Sequence, residues 1–203
     1  MRLVLATTNK NKVREIRSLL DGLDVELVTL DAWPGLTAPE ETGRTFAENA
    51  RQKATYYAGA TGELVVAEDS GLEIDALGGE PGVESARYGG ADLDYPGKFA
   101  LIAERLRASG TQDRAARFVC ALALARHASV LFEARGVVEG QVVLPARGTG
   151  GFGYDPIFFY PPYERTLAEA TQAEKAAVSH RGKAFGELRR FLQTSNFKLQ
   201  TFS

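Results

Sequence analysis

The chain has 203 residues, a formal net charge of −2 and a hydrophobic fraction of 44%. That length sets one domain, or one domain of two lobes, and the near-neutral balance excludes a surface built for nucleic acid or an acidic membrane. No apolar run comes near the ~20 residues that span a bilayer, and no basic-then-apolar leader opens the chain.

Leu3 to Ala6 reads as a short apolar strand. Val13, Ile16, Leu19 and Leu20 fall at helical spacing, and Asp21-Gly22 ends that helix. Thr7, Thr8, Asn9, Lys10, Asn11 and Lys12 lie between the two. A polar loop between a first strand and a first helix aims free amides and the positive end of the helix dipole at one point, and a phosphate is the natural guest. The competing reading is simple helix capping by Thr8 or Asn9, with solvated lysines. Val25 to Leu30 reads as a second strand, and residues 31 to 43, rich in Pro, Gly and acid, as a loop that carries Glu40 and Glu41. Thr45-x-x-Glu48 is a capping box that opens a helix through about Ala60, with Phe46, Ala50, Ala54 and Tyr57 on its buried face. Asn49 and Lys53 are four apart and share a different face, which reads equally well as solvated.

Leu64 to Gly71 runs from apolar residues abruptly into Glu68, Asp69, Ser70 and glycine. In α/β sheets, ligands sit beyond the carboxyl ends of such strands, so Asp69 at the tip of this one can hold a hard cation or take a proton from water. Taken alone, Asp-Ser-Gly is also ordinary turn chemistry. Leu72 to Leu77 alternates like a half-exposed strand. Phe99, Ile102, Ala103 and Leu106 mark a helix ending near Ser109-Gly110. Strands are expected over Arg117 to Ala125, Val130 to Val138 and Gly140 to Leu144, with turns short enough for antiparallel pairing, so the sheet is mixed. Cys120 lies inside the first of these and reads as a small core residue of a chain kept in a reducing, cytoplasmic setting.

Residues 148 to 153 match the G-x-G-x-x-G string, but Tyr154-Asp155-Pro156 follows where a dinucleotide site needs a helix. What remains is a glycine-dense loop that lets backbone approach a ligand while Phe152 offers a ring face. Thr171-x-x-Glu174 opens a further helix with Lys175, interrupted around Ser179 to Lys183 and resumed through Phe185, Leu188, Phe191 and Leu192. The tail from Ser195 reads as frayed. His180, beside Arg181 and Lys183, suits a donor toward a carbonyl or phosphate oxygen better than a metal.

Sorted by chemistry, the chain offers carboxylates (Glu40 or Glu41, Asp69), phosphate donors (Thr7 to Lys12, Lys53, Ser70, Lys175), a stacking ring (Phe152) and directional groups (Asp155, His180, Arg181). A metal-dependent phosphate hydrolase needs this set. The strings ATTNKNKVREI, EETGRTFAENARQKA, EDSGLEIDALGGEPGVESARY, GTGGFGYDPIF and EKAAVSHRGKA, in this order from residue 6 to residue 184, resemble the inosine triphosphate pyrophosphatase family.

The resemblance implies an α/β fold, elongated and two-lobed around a mixed sheet, with the substrate in the cleft and the whole of residues 1–203 forming one such domain. It implies hydrolysis of ITP, dITP or XTP to the monophosphate and pyrophosphate, with Mg²⁺ held by Glu40 and Asp69 and with Asp69 as general base. Thr7 to Lys12 would bind phosphates. Ser70, Phe152, Gly153, Tyr154, Asp155, Lys175, His180 and Arg181 would contact the substrate, and donors from His180, Arg181 or backbone amides would select the 6-oxygen of the base. A homodimer is implied, and no nucleic-acid or membrane partner. Two departures are visible: Glu68 stands where many bacterial members have aspartate, and Lys98 where asparagine is common.

Overall fold

The first apolar run, β1 (Arg2–Leu5), lies in register with two others, β2 (Glu26–Thr29) and the first half of β3 (Leu64–Ile74), both parallel to it. Leu3, Val4, Leu5, Val65 and Val66 are almost completely buried, as expected of parallel strands covered on both faces. The computed structural model describes residues 1–127 and 129–194, so the frayed tail expected from Ser195 lies outside the described residues. The sheet continues through β4 (Ala115–Arg126), β5 (Ser129–Val142), β6 (Phe158–Tyr160) and β7 (Arg165–Thr166) in the order β2-β1-β3-β4-β5-β6-β7. β6 is antiparallel to both β5 and β7. The sheet is therefore mixed, and with five α-helices among the described residues the fold is α/β as expected.

Three strand readings are corrected. β3 does not end at Asp69 but runs on to Ile74, because Leu72 and Ile74 are themselves fully buried and extend the apolar pattern beyond the polar step. Gly140 does not divide two strands, because its backbone lies against Phe158 and Phe159 and leaves no room for a side chain. The short β6 and β7 lacked the length and alternation to be seen in the sequence.

By its contacts the chain divides into two compact units, and the divisions fall inside β3, β4 and β5 and after residue 180. Of the described residues, the first unit comprises 1–69, 120–127, 129–136 and 181–194. Its core gathers Leu3, Leu5, Leu64, Val66, Leu122 and Leu124 against α1 (Lys10–Leu19) and α5 (His180–Gln193), which contribute Ile16, Phe185 and Leu188. α2 (Phe46–Thr61) starts at the expected capping box and stops at Gly62 in the left-handed conformation.

The second unit comprises residues 70–119 and 137–180. Its core packs Leu72, Ile74, Val138, Val142 and Phe158 with α3 (Tyr95–Ala108), through Ile102 and Leu106. α4 (Gln172–Val178) opens at the second capping box and ends where Ser179 turns extended, a one-residue break narrower than the sequence suggested.

Candidate active site

Glu68 and Asp69 are consecutive on a strand, so their side chains leave on opposite faces. Glu68 shares its face with Leu64 and Val66 and enters the core of the first unit. Arg181 of α5 meets it there through Nε at 3.0 Å and Nη2 at 2.9 Å, and Lys12 of α1 approaches to 3.2 Å. Arg181 is 1% exposed, and its Nη1 is bonded to Glu15 at 2.7 Å. Burial opposes the Arg181 charge, but the Glu68 and Glu15 carboxylates outweigh it and raise its pKa further. Cys120 points at the same carboxylate, and burial pushes its thiol well up, so it is an inert core group as expected.

Asp69 faces α2. Asn49 donates to its Oδ2 at 2.9 Å, and Lys53 Nζ lies 3.4 Å from its Oδ1 and 2.9 Å from Glu41. The face carrying Asn49 and Lys53 is not solvated: Asn49 is fully buried, and its own oxygen accepts from the Gly43 amide at 2.8 Å. That bond fastens the Glu41-bearing loop to the helix. Burial raises the Asp69 pKa above the ordinary carboxylate value against the pull of Lys53 and Asn49. Burial also disfavours the Lys53 charge, yet Asp69 and Glu41 together raise its pKa. A carboxylate whose proton affinity is lifted at the end of a polar network is suited to general-base work.

The sequence left Glu40 and Glu41 open. The structure leaves Glu40 exposed and brings Glu41 to Lys53. Glu41 and Asp69 present hard oxygen donors, already gathered about one positive charge, and this fits Mg²⁺, which takes one or two carboxylates and completes its shell with water and phosphate. Among the described residues no group of three His, Cys, Asp or Glu is gathered as a metal cage.

At the start of α1 the capping reading is borne out. Asn9 caps the helix, accepting from the amides of Asn11 at 3.0 Å and Lys12 at 3.2 Å, and Thr7 accepts from the Asn9 amide. Thr8 and Lys10 remain exposed around a helix start whose dipole favours an anion.

The second unit assembles the other expected group. Asp155 is 2% exposed and turns back into its own loop, where Oδ2 accepts from the Phe152 amide at 2.8 Å and from Lys175 Nζ at 2.5 Å. Gly151 has φ +66, and a Cβ there would collide with Asp155 Oδ2, so this turn requires glycine. Lys175 Nζ also lies 4.7 Å from the centre of the Phe152 ring. Tyr154 is buried and donates to the Ser85 carbonyl at 2.8 Å, which locks the loop to the chain near Gly71. Gly71 itself must be small, since a side chain there would strike Ser85 and the Gly82 carbonyl. Gly153 faces the Tyr95 hydroxyl, and Tyr95 packs edge-on against Tyr154. His180 is buried and stacked on Phe118 at 4.9 Å, and Ser70, half-buried, directly follows Asp69 in β3. Lys98, for which the sequence offered no role, is buried over the Tyr95 ring and bonded to the Ala86 carbonyl, and burial lowers its pKa.

The structure thus joins Asp69 with Lys53, and Phe152 with Asp155 and Lys175. It adds Asn49 and Glu41, and it brings the Arg181 guanidinium to Glu68 and Glu15 in the core of the first unit. The spacing of Asn49 and Lys53 was the available signal for the first addition.

Residues 3–191 match the model of the Ham1 family. A curated dITP/XTP pyrophosphatase of Thermus thermophilus is 49% identical over 93% of this chain and 90% of its own, and one of Desulforamulus reducens is 46% identical over 91% and 92%. The solved structure of a HAM1 protein from Coxiella burnetii superposes with a TM-score of 0.89 at 40% identity, covering 95% of this chain and 98% of that one. The architecture and these matches agree, and the chain belongs to the Ham1 family.

Proposed function

We propose that this protein hydrolyses non-standard purine nucleoside triphosphates of the dITP, ITP and XTP class to the monophosphate and pyrophosphate. The observation that carries the reading is Asp69: a buried carboxylate of raised proton affinity, oriented by Asn49 and held beside Lys53 and Glu41. In the proposed reaction Asp69 takes a proton from water as the water oxygen bonds to phosphorus at the α–β anhydride, and the bridging oxygen leaves with pyrophosphate. Lys53 and the start of α1 offset the negative charge of the phosphates. Glu41 and Asp69 would hold Mg²⁺, with Glu41 replacing Glu40 in that role on the strength of its contact with Lys53. A bound Mg²⁺ would neutralise phosphate charge and polarise the phosphate oxygens.

The base would stack on Phe152. Lys175 supplies a buried donor beside that ring, matched to the 6-oxygen of hypoxanthine or xanthine and mismatched to the amino group of adenine. Leaving such a group unpaired costs on the order of 1–3 kcal/mol. On the family resemblance we also infer a homodimer acting in the cytoplasm.

A pyrophosphate-release panel over dITP, XTP, ITP, GTP, ATP and dTTP, run with and without EDTA, tests the reading. Preference for the first three, abolished by EDTA and restored by Mg²⁺, is expected. Equal turnover of ATP or dTTP, or full turnover in EDTA, overturns it.

A further inference from the structure

The second unit contains seven arginines, and they fall into two classes. Arg87, Arg105, Arg117 and Arg165 each pair with a carboxylate: Glu84, Glu80, the set Glu73, Asp75 and Glu139, and Glu174 respectively. Arg107, Arg114 and Arg147 have no carboxylate within ion-pair distance among the described residues. These same three line one cavity of about 560 Å³. No acidic residue lines it, and its apolar wall includes Leu106 and Val142. The volume lies in the range of small-molecule sites.

The three arginines come from three segments: the last turn of α3, the lead into β4, and the loop after β5. A place at a helix C-terminus explains Arg107 alone, since cations there complement the dipole. It does not explain why Arg114 and Arg147 converge on the same space. Arg114 is held in place by its own loop, its Nη1 donating to the carbonyls of Thr111 at 3.0 Å and Asp113 at 2.7 Å, which fixes the guanidinium without cancelling its charge. Glu169 feels Arg147 electrostatically, and its carboxylate is bonded to Thr166.

We propose that this cavity is a second anion site, separate from the Asp69 and Asp155 groups, that takes a small molecule carrying a phosphate or diphosphate. Guanidinium forks suit phosphate oxygens, and the apolar wall suits the body of a compact ligand. The proposal does not depend on the hydrolytic reading.

The test uses the whole chain with ¹⁵N-labelled amides, titrated without divalent ions. One arm uses inorganic pyrophosphate and the other dIMP, so that a bare phosphate ligand and a nucleotide are told apart. In the wild type the amides of Thr111, Gln112 and Val143 are expected to shift and saturate with at least one probe. In the double variant Arg107→Gln, Arg147→Gln those shifts should need roughly tenfold more ligand, while dITP turnover stays within about twofold of wild type. An otherwise unchanged amide spectrum shows that the variant is folded. If the three amides do not move with either probe, or titrate identically in the double variant, the site is refuted. Loss of dITP turnover with normal titration would instead contradict the separation of the two sites.

Discussion

Glu68 and Asp69 are neighbours of the same chemical type, both with nearly buried side chains, yet they face opposite sides of one strand and meet opposite treatment. Glu68, with Glu15 beside it, is matched charge for charge by Arg181 and Lys12 inside the core of α1 and α5. Asp69 shares one ammonium with Glu41 and relies on a neutral amide for its other oxygen. Burial then wins at Asp69 and lifts its affinity for a proton. A fully compensated carboxylate serves the fold, whereas an under-compensated one retains chemistry.

The strongest way to break this contrast is to remove the compensation on the Glu68 side. Arg181→Met removes the guanidinium from the buried Glu68 carboxylate, and urea unfolding should show a loss of about 3–5 kcal/mol. In folded protein its preference for dITP over dATP should match wild type, and a changed preference would return Arg181 to the base site. Lys175→Met should reduce that same preference about tenfold, measured as the ratio of kcat/KM values. An unaltered ratio would move base selection elsewhere. Gly151→Ala places a methyl group against Asp155 at positive φ, and a loss of about 1–3 kcal/mol is expected in thermal or urea unfolding, with a raised KM for dITP.

The smallest effect is a pH dependence. Asp69 binds its proton more tightly in the folded state, so folding takes up protons above the ordinary carboxylate value of 3.8. Its contribution to stability therefore falls as pH rises from there through the raised folded value. Asp69→Asn should accordingly gain stability relative to wild type across that window and show no relative gain below it. In the wild type, dITP hydrolysis should be lost as pH falls through the raised value.

The sequence was most informative where chemistry is local. The capping boxes at Thr45 and Thr171 and the loop from Phe152 to Asp155 all stand where their residues indicated. It was least informative where a partner lies far along the chain. Asn49 shares its stripe of α2 with apolar residues, and only the position of Asp69, twenty residues later, makes an amide stable in that buried place. The residues alone did not separate Glu41 from Glu40, and it is the contact of Glu41 with Lys53 that sets the two apart in the structure. Arg181 sits beside His180 in a segment rich in donors, and nothing nearby reveals that Glu15 and Glu68, 166 and 113 residues away, claim its guanidinium. The extension of β3 past Asp69 was hidden because glycine and serine interrupt its apolar pattern.

The most direct test is the turnover of dITP by Glu68→Gln and Asp69→Asn, measured side by side at saturating substrate and Mg²⁺ on protein shown to be folded. The account predicts that Asp69→Asn loses about 10²–10⁴-fold in kcat while Glu68→Gln stays within about tenfold of wild type. The reverse ranking, or an equal loss in both, would contradict it.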